Sequence, residues 1–500
     1  MNNDRILIHE YQVLNQKPLV IIAPFELIDP ARMDTYYYLP HFIEVLEHIK
    51  QCGVPLQFLD KVRDRQRIIT DGIRKHVKTK SGVVLIRTQD FEETSLNLNG
   101  CVYVSRDQHY AAQKSAVRAG DLLIAIRGYL GQAAIVGSDV PPANINQHIA
   151  RVSVDPDKAD VGYLWAFFTS KTGKTLLEQQ VTGTVQQGIM LPVMRQLRVP
   201  LPPRPIQDYI NAKVRLAERC RIEARQGLQE AVHRFEDLAQ LSLFTPRTDR
   251  YSAVPVNKLN ERLAAEFYLP MYFDLEDHLA RLPFKIANIR SLLRSSIIRA
   301  TTPERVEQEV IPCILTSDID PQRISWRTPS LWIDRATYNK PSTTHLQAND
   351  VVYSSVGPPV GEAAIILGQY LPMVVGGDVS VLRCGRELTP GYLCLFLNSI
   401  FGRMQNERFA RGVRQRRVYP EDIGDFLIPL LGIVDQQFIH QRVVAYEALG
   451  DKAAELVEKA KADVEALIEG TLDTDAILNG HVKPPTWDDV MRDVEATVSN

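Results

Sequence analysis

No one sign of charge dominates this 500-residue chain: 58 Lys and Arg stand against 60 Asp and Glu, a formal net charge of −2 at pH 7. A global basic field is therefore missing, and any basic surface must be local. Cysteine is scarce. Cys52, Cys101, Cys220, Cys313, Cys384 and Cys394 form no C-x-x-C pair and have no histidine pairs nearby, which excludes an obvious zinc site or disulfide framework and fits a reducing cytoplasm. Long apolar runs are missing too. The greasiest stretch, Phe426 to Val434, is about half a membrane span and is flanked by Asp425 and Asp435. The start, Met1-Asn2-Asn3-Asp4-Arg5, opens no secretory signal, so a soluble, unexported protein without membrane contact is expected.

Signatures of covalent chemistry are equally sparse. Ser170-Lys171-Thr172-Gly173-Lys174-Thr175 resembles a phosphate loop, but Phe168 stands where that pattern needs glycine, so a helix end is expected there. No G-x-S-x-G, H-E-x-x-H or G-x-G-x-x-G stands in a convincing context, and none of the four Pro-Pro pairs completes the Asn/Asp-Pro-Pro-aromatic grip of amino-methyltransferases. Lone histidines such as His109 and His148 fit satisfied structural positions better than catalysis. A chain without catalytic residues or a metal of its own is expected.

What the sequence does contain is a repeat. ARMDTYYYLP (31–40) returns as ERLAAEFYLP (261–270), and Gly131-Gln-Ala-Ala-Ile-Val returns as Gly361-Glu-Ala-Ala-Ile-Ile, 230 residues apart. Tyr163-Leu164, Gly173, Gly183, Pro200-Leu201, Gln207 and Ile210 face Tyr392-Leu393, Gly402, Gly412, Pro429-Leu430, Gln436 and Ile439 at offset 229. The composition, 45% apolar and 24% charged, is that of a globular protein. Each half reads as a mixed α/β globule. A helix (about 38–51 and 271–281) leads into strand-like runs such as 83–86 and 117–126. A short helix (161–168, 392–398) and an apolar strand (197–203, 426–431) follow.

A long helix follows each globule. Val214, Ala217, Arg221, Ala224, Leu228, Ala231, Phe235 and Leu238 step by three and four, and Val443, Tyr446, Gly450, Ala453, Val457, Ala460, Val464 and Leu467 step identically, the seam of a coiled coil. The expected organisation is α+β: a first mixed α/β domain (1–205), a long helix (206–244), a Pro/Thr/Ser-rich linker (245–260), a second mixed α/β domain (261–434), a second long helix (435–470) and a peripheral extension (471–500). The two helices have matching faces to pair, with Val214, Leu228, Phe235, Val443, Val457 and Val464 at the seam. The acids Glu455, Glu458, Asp463, Glu465 and Glu469 are expected to lie outside or to face partners.

Positions that differ on otherwise matching loops are the parts free to specialise. In the second half Arg403, Arg408, Arg411, Arg414, Arg416 and Arg417 crowd one segment with Gln415 and Tyr419, more guanidinium than solvation requires. Arginine forks fit phosphates and the guanine edge, and glutamine fits adenine. The equivalent loop of the first half, with Thr184, Gln186 and Gln187, is polar but uncharged. Three more paired loops carry candidates for DNA contact: Arg87 and Gln89 facing Thr316 and Ser317, Arg127 and Tyr129 facing Val356 to Val360, and Asn146 and Gln147 facing Gly376 to Asp378. Turn chemistry alone accounts equally well for many of these residues.

These patterns together resemble the specificity subunit of type I restriction-modification systems. The likeness runs through Arg32 to Pro40, Gly120-Asp-Leu-Leu-Ile-Ala-Ile-Arg-Gly, Asn146-Gln-His-Ile-Ala-Arg, Thr182-Gly-Thr-Val-Gln-Gln-Gly and Pro200-Leu-Pro-Pro, and covers about residues 30–245 and 260–470. The second half departs from it, with Val356-Gly357-Pro358-Pro359 in place of the Arg-Gly turn and Leu430-Leu431-Gly432 in place of Leu-Pro-Pro. The resemblance implies a non-catalytic reader of double-stranded DNA whose two domains each take half of a split, asymmetric site. It implies an antiparallel helix pair with pseudo-twofold symmetry as the ruler between them. It also implies partners: two adenine methyltransferase subunits carrying S-adenosylmethionine, and a restriction subunit. Two other readings stand beside it, a recognition module reused in another defence or methylation system and a protein-interaction scaffold that does not bind DNA.

Overall fold

The computed structural model describes residues 7–10, 19–22, 32, 34–75, 77–182, 188–251, 253–259, 262, 264–304, 310–340, 343–358, 360–412 and 414–498. The chain gathers into two compact units, Met1–Arg219 with Ala453–Thr486, and Cys220–Lys452 with Trp487–Asn500. Each unit therefore holds one repeat, and each long helix is divided between the two.

In the first unit Val83–Ile86 lies between Ala143–Ile145, parallel to it, and Val102–Val104, antiparallel. All four of its residues are buried, as an unbroken apolar run in a central strand should be. A second, antiparallel sheet sets Asp121–Ala125 between Ile149–Ser153 and Ala133–Ile135. Val84, Ile86, Leu123, Ala134, Ile145 and Ile149 join the two sheets in one core. The strand expected from 117 begins only at Asp121. Gly120 turns the chain at φ +82°, and the Asp121 carboxylate accepts the Arg118 amide at 2.8 Å.

The second unit repeats this plan. Ile311–Ile314 lies between Leu331–Ile333 (antiparallel) and Val374–Val375 (parallel). Val351–Ser354 lies between Val379–Leu382 and Ala363–Ile365, with Ile298–Arg299 on the outer edge. The short buried helices Val161–Thr169 and Pro390–Asn398 are pinned alike: the Tyr163 hydroxyl donates to the Pro200 carbonyl at 2.7 Å, and Tyr392 to Pro429 at 2.5 Å. The Ser170–Thr175 run lies at the expected helix end, since Val161–Thr169 stops at Ser170, and it also begins the next helix. Ser170 caps Lys171–Gln179 through the Gly173 amide, and a Cβ on Gly173 would stand 1.8 Å from the Phe167 carbonyl oxygen.

The long helices run Arg204–Leu238 and Ile433–Ile468. The seam residues Val214, Phe235, Val443, Val457 and Val464 are buried, and Leu228 is half-buried. Within the first unit Lys213 pairs with Asp463 at 2.6 Å, and the Thr172 hydroxyl donates to Glu465 at 2.7 Å. Those two acids, expected to face outward, serve internal contacts instead. Within the second unit Arg234 pairs with Asp435 at 2.6 Å and Arg442 with Glu230 at 2.8 Å.

Each helix also sends a glutamate at the same repeat position into the globule of its own unit. Glu218 accepts the Thr94 hydroxyl at 2.9 Å, and Glu447 accepts the Tyr370 hydroxyl at 3.1 Å. Burial pushes the Glu447 carboxyl up to about 8, with the Arg323 charge and the Tyr370 bond opposing the shift. The extension ends in helix Trp487–Val498, which buries Val490 and Val494. It ties to the second unit through Lys452–Asp493 at 2.8 Å and Thr497–Gln369 at 2.8 Å. Among the described residues, no helix is long and apolar enough to cross a membrane.

Candidate nucleic-acid interface

Backbone hydrogen bonds bring the candidate loops of each repeat to one rim. In the first, the Asn146 amide donates to the Ile86 carbonyl at 3.0 Å, so the loops leaving two parallel strands at Arg87 and Asn146 lie side by side. The Ile126 amide donates to the His148 carbonyl at 2.9 Å, which adds the Arg127 turn. The Ile189 amide then donates to Ile126 at 3.0 Å, and Gly188 bridges both Arg127 and Thr182.

The second repeat has the same wiring. Gly376 donates to Ile314 at 2.9 Å, Ser355 to Asp378 at 3.0 Å, and Val418 to Ser355 at 2.9 Å. Arg417 pairs with Val356 and, through both backbone bonds at 2.8 Å, with Arg411. The arginine shared by the duplicated decapeptides holds the base of each recognition loop. Arg32 donates to the Gln179 and Val181 carbonyls at 3.3 and 3.2 Å, and Arg262 to Phe409 and Ala410 at 2.9 and 3.0 Å. Fixing both ends of the loop leaves its tip free to vary.

The candidate side chains divide by how tightly they are already held. Arg87 forks onto Asp90, at 2.8 Å through Nη2, and the same carboxylate caps the Arg87 amide. Gln89 is exposed, and its carboxamide oxygen, turned toward the Arg87 guanidinium, accepts at 3.0 Å. Asn146 caps the His148 amide through Oδ1 at 3.1 Å, while the Gln147 amide group reaches the His148 ring at 3.3 Å. Arg127 is half-buried beside Gly188, and Tyr129, after the left-handed Gly128, is 61% exposed. Thr184, Gln186 and Gln187 lie outside the described residues.

In the second repeat Thr316 opens the turn Thr316–Asp318, and the Ser317 hydroxyl meets that of Ser330 at 2.8 Å. Arg411 pairs with Asp422 at 2.6 Å and lies over the Tyr419 ring. Arg416 donates to the Glu407 carbonyl at 3.1 Å. Arg414 and Gln415 are exposed, with no side-chain partner among the described residues.

One member of the arginine crowd is structural. Arg408 pairs with Glu276 and lies over the rings of Phe267, Tyr272 and Phe273. In the first repeat Tyr37, Ile43 and Leu46, at the positions of Phe267, Phe273 and Glu276, stand on the walls of an open cleft of about 580 Å³.

The repeat comparison also shows a rim residue that motif reading missed. Arg299 donates from Nε to the Gly377 carbonyl at 3.1 Å, and its guanidinium and that of Arg417 flank Asp378 at 4.0 and 3.9 Å. Its counterpart, Thr70, is uncharged, and that contrast was available in the sequence. Among the described residues no group of three His, Cys, Asp or Glu side chains stands ready to hold a metal.

Residues 75–232 match the model of the type I restriction modification DNA specificity domain. A curated relative, the type I restriction enzyme EcoBI specificity subunit of Escherichia coli, is 26% identical over 161 residues, 32% of this chain and 34% of that protein's length. The chain thus spans about a third of the curated relative it matches. Among solved structures it is similar to a type I restriction-modification S subunit from M. genitalium at TM-score 0.43 and 12% identity, covering 84% of this chain and 96% of that one. It is also similar to the HsdS subunit from Thermoanaerobacter tengcongensis at TM-score 0.27 and 19% identity, covering 84% and 97%. Within the first repeat, residues 75–232, which carry most of its rim of paired loops, are thus similar to the type I restriction-modification DNA specificity domain.

Proposed function

We propose that this chain is a non-catalytic, sequence-specific reader of double-stranded DNA, each repeat taking one half of a bipartite, asymmetric site. The observation that carries this reading is the duplicated rim: the same backbone bonds hold loops of different chemistry in the two repeats. A device that reads two different half-sites needs a constant frame and variable tips, and a scaffold for protein contacts needs no such pairing. Side chains on such tips specify bases through groove edges, while cations along the frame bind phosphates.

The two long helices pair antiparallel as the spacer between half-sites, with pseudo-twofold symmetry. The ion pairs support this order. As the number on the first helix rises through 213, 230 and 234, its partner on the second falls through 463, 442 and 435. The chain directs a partner adenine methyltransferase, two copies of which carry S-adenosylmethionine and the pocket for a flipped base, and a restriction subunit joins them. The complex works in the cytoplasm, which fits six cysteines that are all free thiols.

Mapping of adenine methylation in the native host, with and without this gene, tests the reading. A gapped two-part motif should lose its methylation on deletion. An unchanged methylation map would refute it.

A further inference from the structure

The segment from Arg74 to Lys80 carries Arg74, Lys75, Lys78 and Lys80 and no acid. All four cations are exposed. Arg74, its side chain 71% exposed, reaches Asp71 only at 3.3 Å, and the three lysines have no ion-pair partner among the described residues. The segment is nonetheless anchored at both ends. Ile73 donates its amide to the Ile145 carbonyl at 2.9 Å and accepts the Gln147 amide at 3.2 Å, while the Thr79 amide donates to Tyr103 at 3.0 Å. Gly72 permits the close approach, since a Cβ there would stand 1.8 Å from the Ile145 oxygen. The anchor sets Ile73 beside Asn146 and Gln147, so Arg74 and Lys75 leave directly from the rim that carries Arg87 and Arg127. Four like charges in seven residues, with Asp71 beside Arg74 as their one counterion among the described residues, repel one another, and an anchored strap gains from keeping them where a polyanion supplies the countercharge.

The second repeat reverses the sign. Thr302, the counterpart of Ile73, ties the same place to the rim by accepting the Gly377 amide at 2.8 Å. The residues after it, 303–309, contain Glu304, Glu307 and Glu309 against Arg305 alone. That repeat already has Arg411, Arg414, Arg416 and Arg417 on its recognition loop, whereas the equivalent loop of the first repeat is uncharged. Each repeat thus brings a cationic segment to its rim, but from a different place in the chain.

We infer that the strap Arg74–Lys80 is a phosphate clamp that grips the DNA backbone at the half-site of the first repeat without reading its bases. This rests on the DNA-recognition reading above. It separates two jobs that the second repeat combines on one loop: in the first, the strap holds and the polar loops read.

The test uses the full chain in complex with its methyltransferase, a duplex carrying the mapped motif, and a scrambled duplex of equal length. Affinity is measured over a series of salt concentrations. At a slope of roughly 0.9 per phosphate neutralised, the R74Q/K75Q/K78Q/K80Q variant should lower the steepness of log K against log salt by about three to four. It should weaken both duplexes and leave their ratio unchanged. K78Q alone should lower the slope by about one, and being a single exposed change it guards against loss of folding in the fourfold variant. An unchanged slope in both variants, with motif binding intact, would overturn the clamp and leave the DNA-reading role standing. No salt-sensitive DNA binding by the wild-type complex would overturn both.

Discussion

In the first repeat the carboxylate that opens the central antiparallel strand, Asp121, is held by Arg67 from upstream, at 2.9 Å. In the second, its counterpart Asp350 is held at 2.9 Å by Arg383, from downstream. The buried carboxylate keeps a guanidinium in both cases, because leaving it unpaired costs several kcal/mol, but nothing fixes which segment supplies it. The same holds at the rim. Backbone bonds recur to within about 0.1 Å while the side chains on them differ in size and charge. What the duplication retains is the set of bonds whose loss would expose buried polar groups, and what it releases is whatever points into solvent.

The seam gives the sharpest break of the comparison. Phe235 and Val464 occupy one repeat position, both buried. Phe235 lies 6.1 to 6.2 Å from the rings of Tyr392, Phe396 and Phe401 within the second unit, whereas Val464 is aliphatic. Phe235→Ala should cost about 3–5 kcal/mol and Val464→Ala about half that, because the aromatic side chain leaves the larger cavity. Hydrogen exchange should show Phe235→Ala loosening the second repeat, although the residue follows the first in sequence. Loosening confined to the first repeat would break this picture of shared helices.

A pH profile comes next in size. The folded Glu447 carboxyl holds its proton up to about 8, while the unfolded chain releases it near the ordinary carboxylate value. Its folded pKa is raised, so the stabilisation is whole in acid and is lost as pH rises toward 8, with a cost of ~3 kcal/mol already reached at pH 7. Glu447→Gln keeps the shape and removes the titration. The variant should gain on the parent steadily between pH 5 and 8 in urea unfolding of the full chain. Parallel profiles would mean that the buried carboxylate is stabilised by more than Arg323 and Tyr370.

Much of this architecture is legible in the sequence, because repeat offsets and seam steps report backbone geometry directly. The short helix pinned by Tyr163 and Tyr392, both long helices and the shared rim loops all lie where the duplicated residues indicate. Strand limits are less legible: a left-handed glycine at 120 delays to Asp121 a strand that composition alone would start at 117. Partners are the least legible. Arg408 and Arg411 look alike as neighbours in an arginine crowd, yet one lies among three aromatic rings far away in sequence and the other sits at the loop's base, paired with Asp422. Asp463 and Glu465 likewise look like solvent-facing acids until Lys213 and Thr172 come beside them.

The loop tips offer the smallest and most selective test. Arg411 is a poor probe of base reading, since removing it also strands Asp422. Arg414 and Gln415 are exposed and their side chains make no hydrogen bond or ion pair among the described residues, so Arg414→Ala and Gln415→Ala should leave stability alone. Each should cost about 1–3 kcal/mol of discrimination at bases read by the second repeat and none at the other half-site. Gln89→Ala and Tyr129→Ala in the first repeat should do the reverse, by a smaller amount for Gln89, which already spends its oxygen on Arg87. Binding to duplexes altered in one half-site at a time separates these outcomes. If Arg414→Ala weakens both halves equally, the loop grips phosphate rather than bases, and the arginines of the second repeat do only what the lysine strap does in the first.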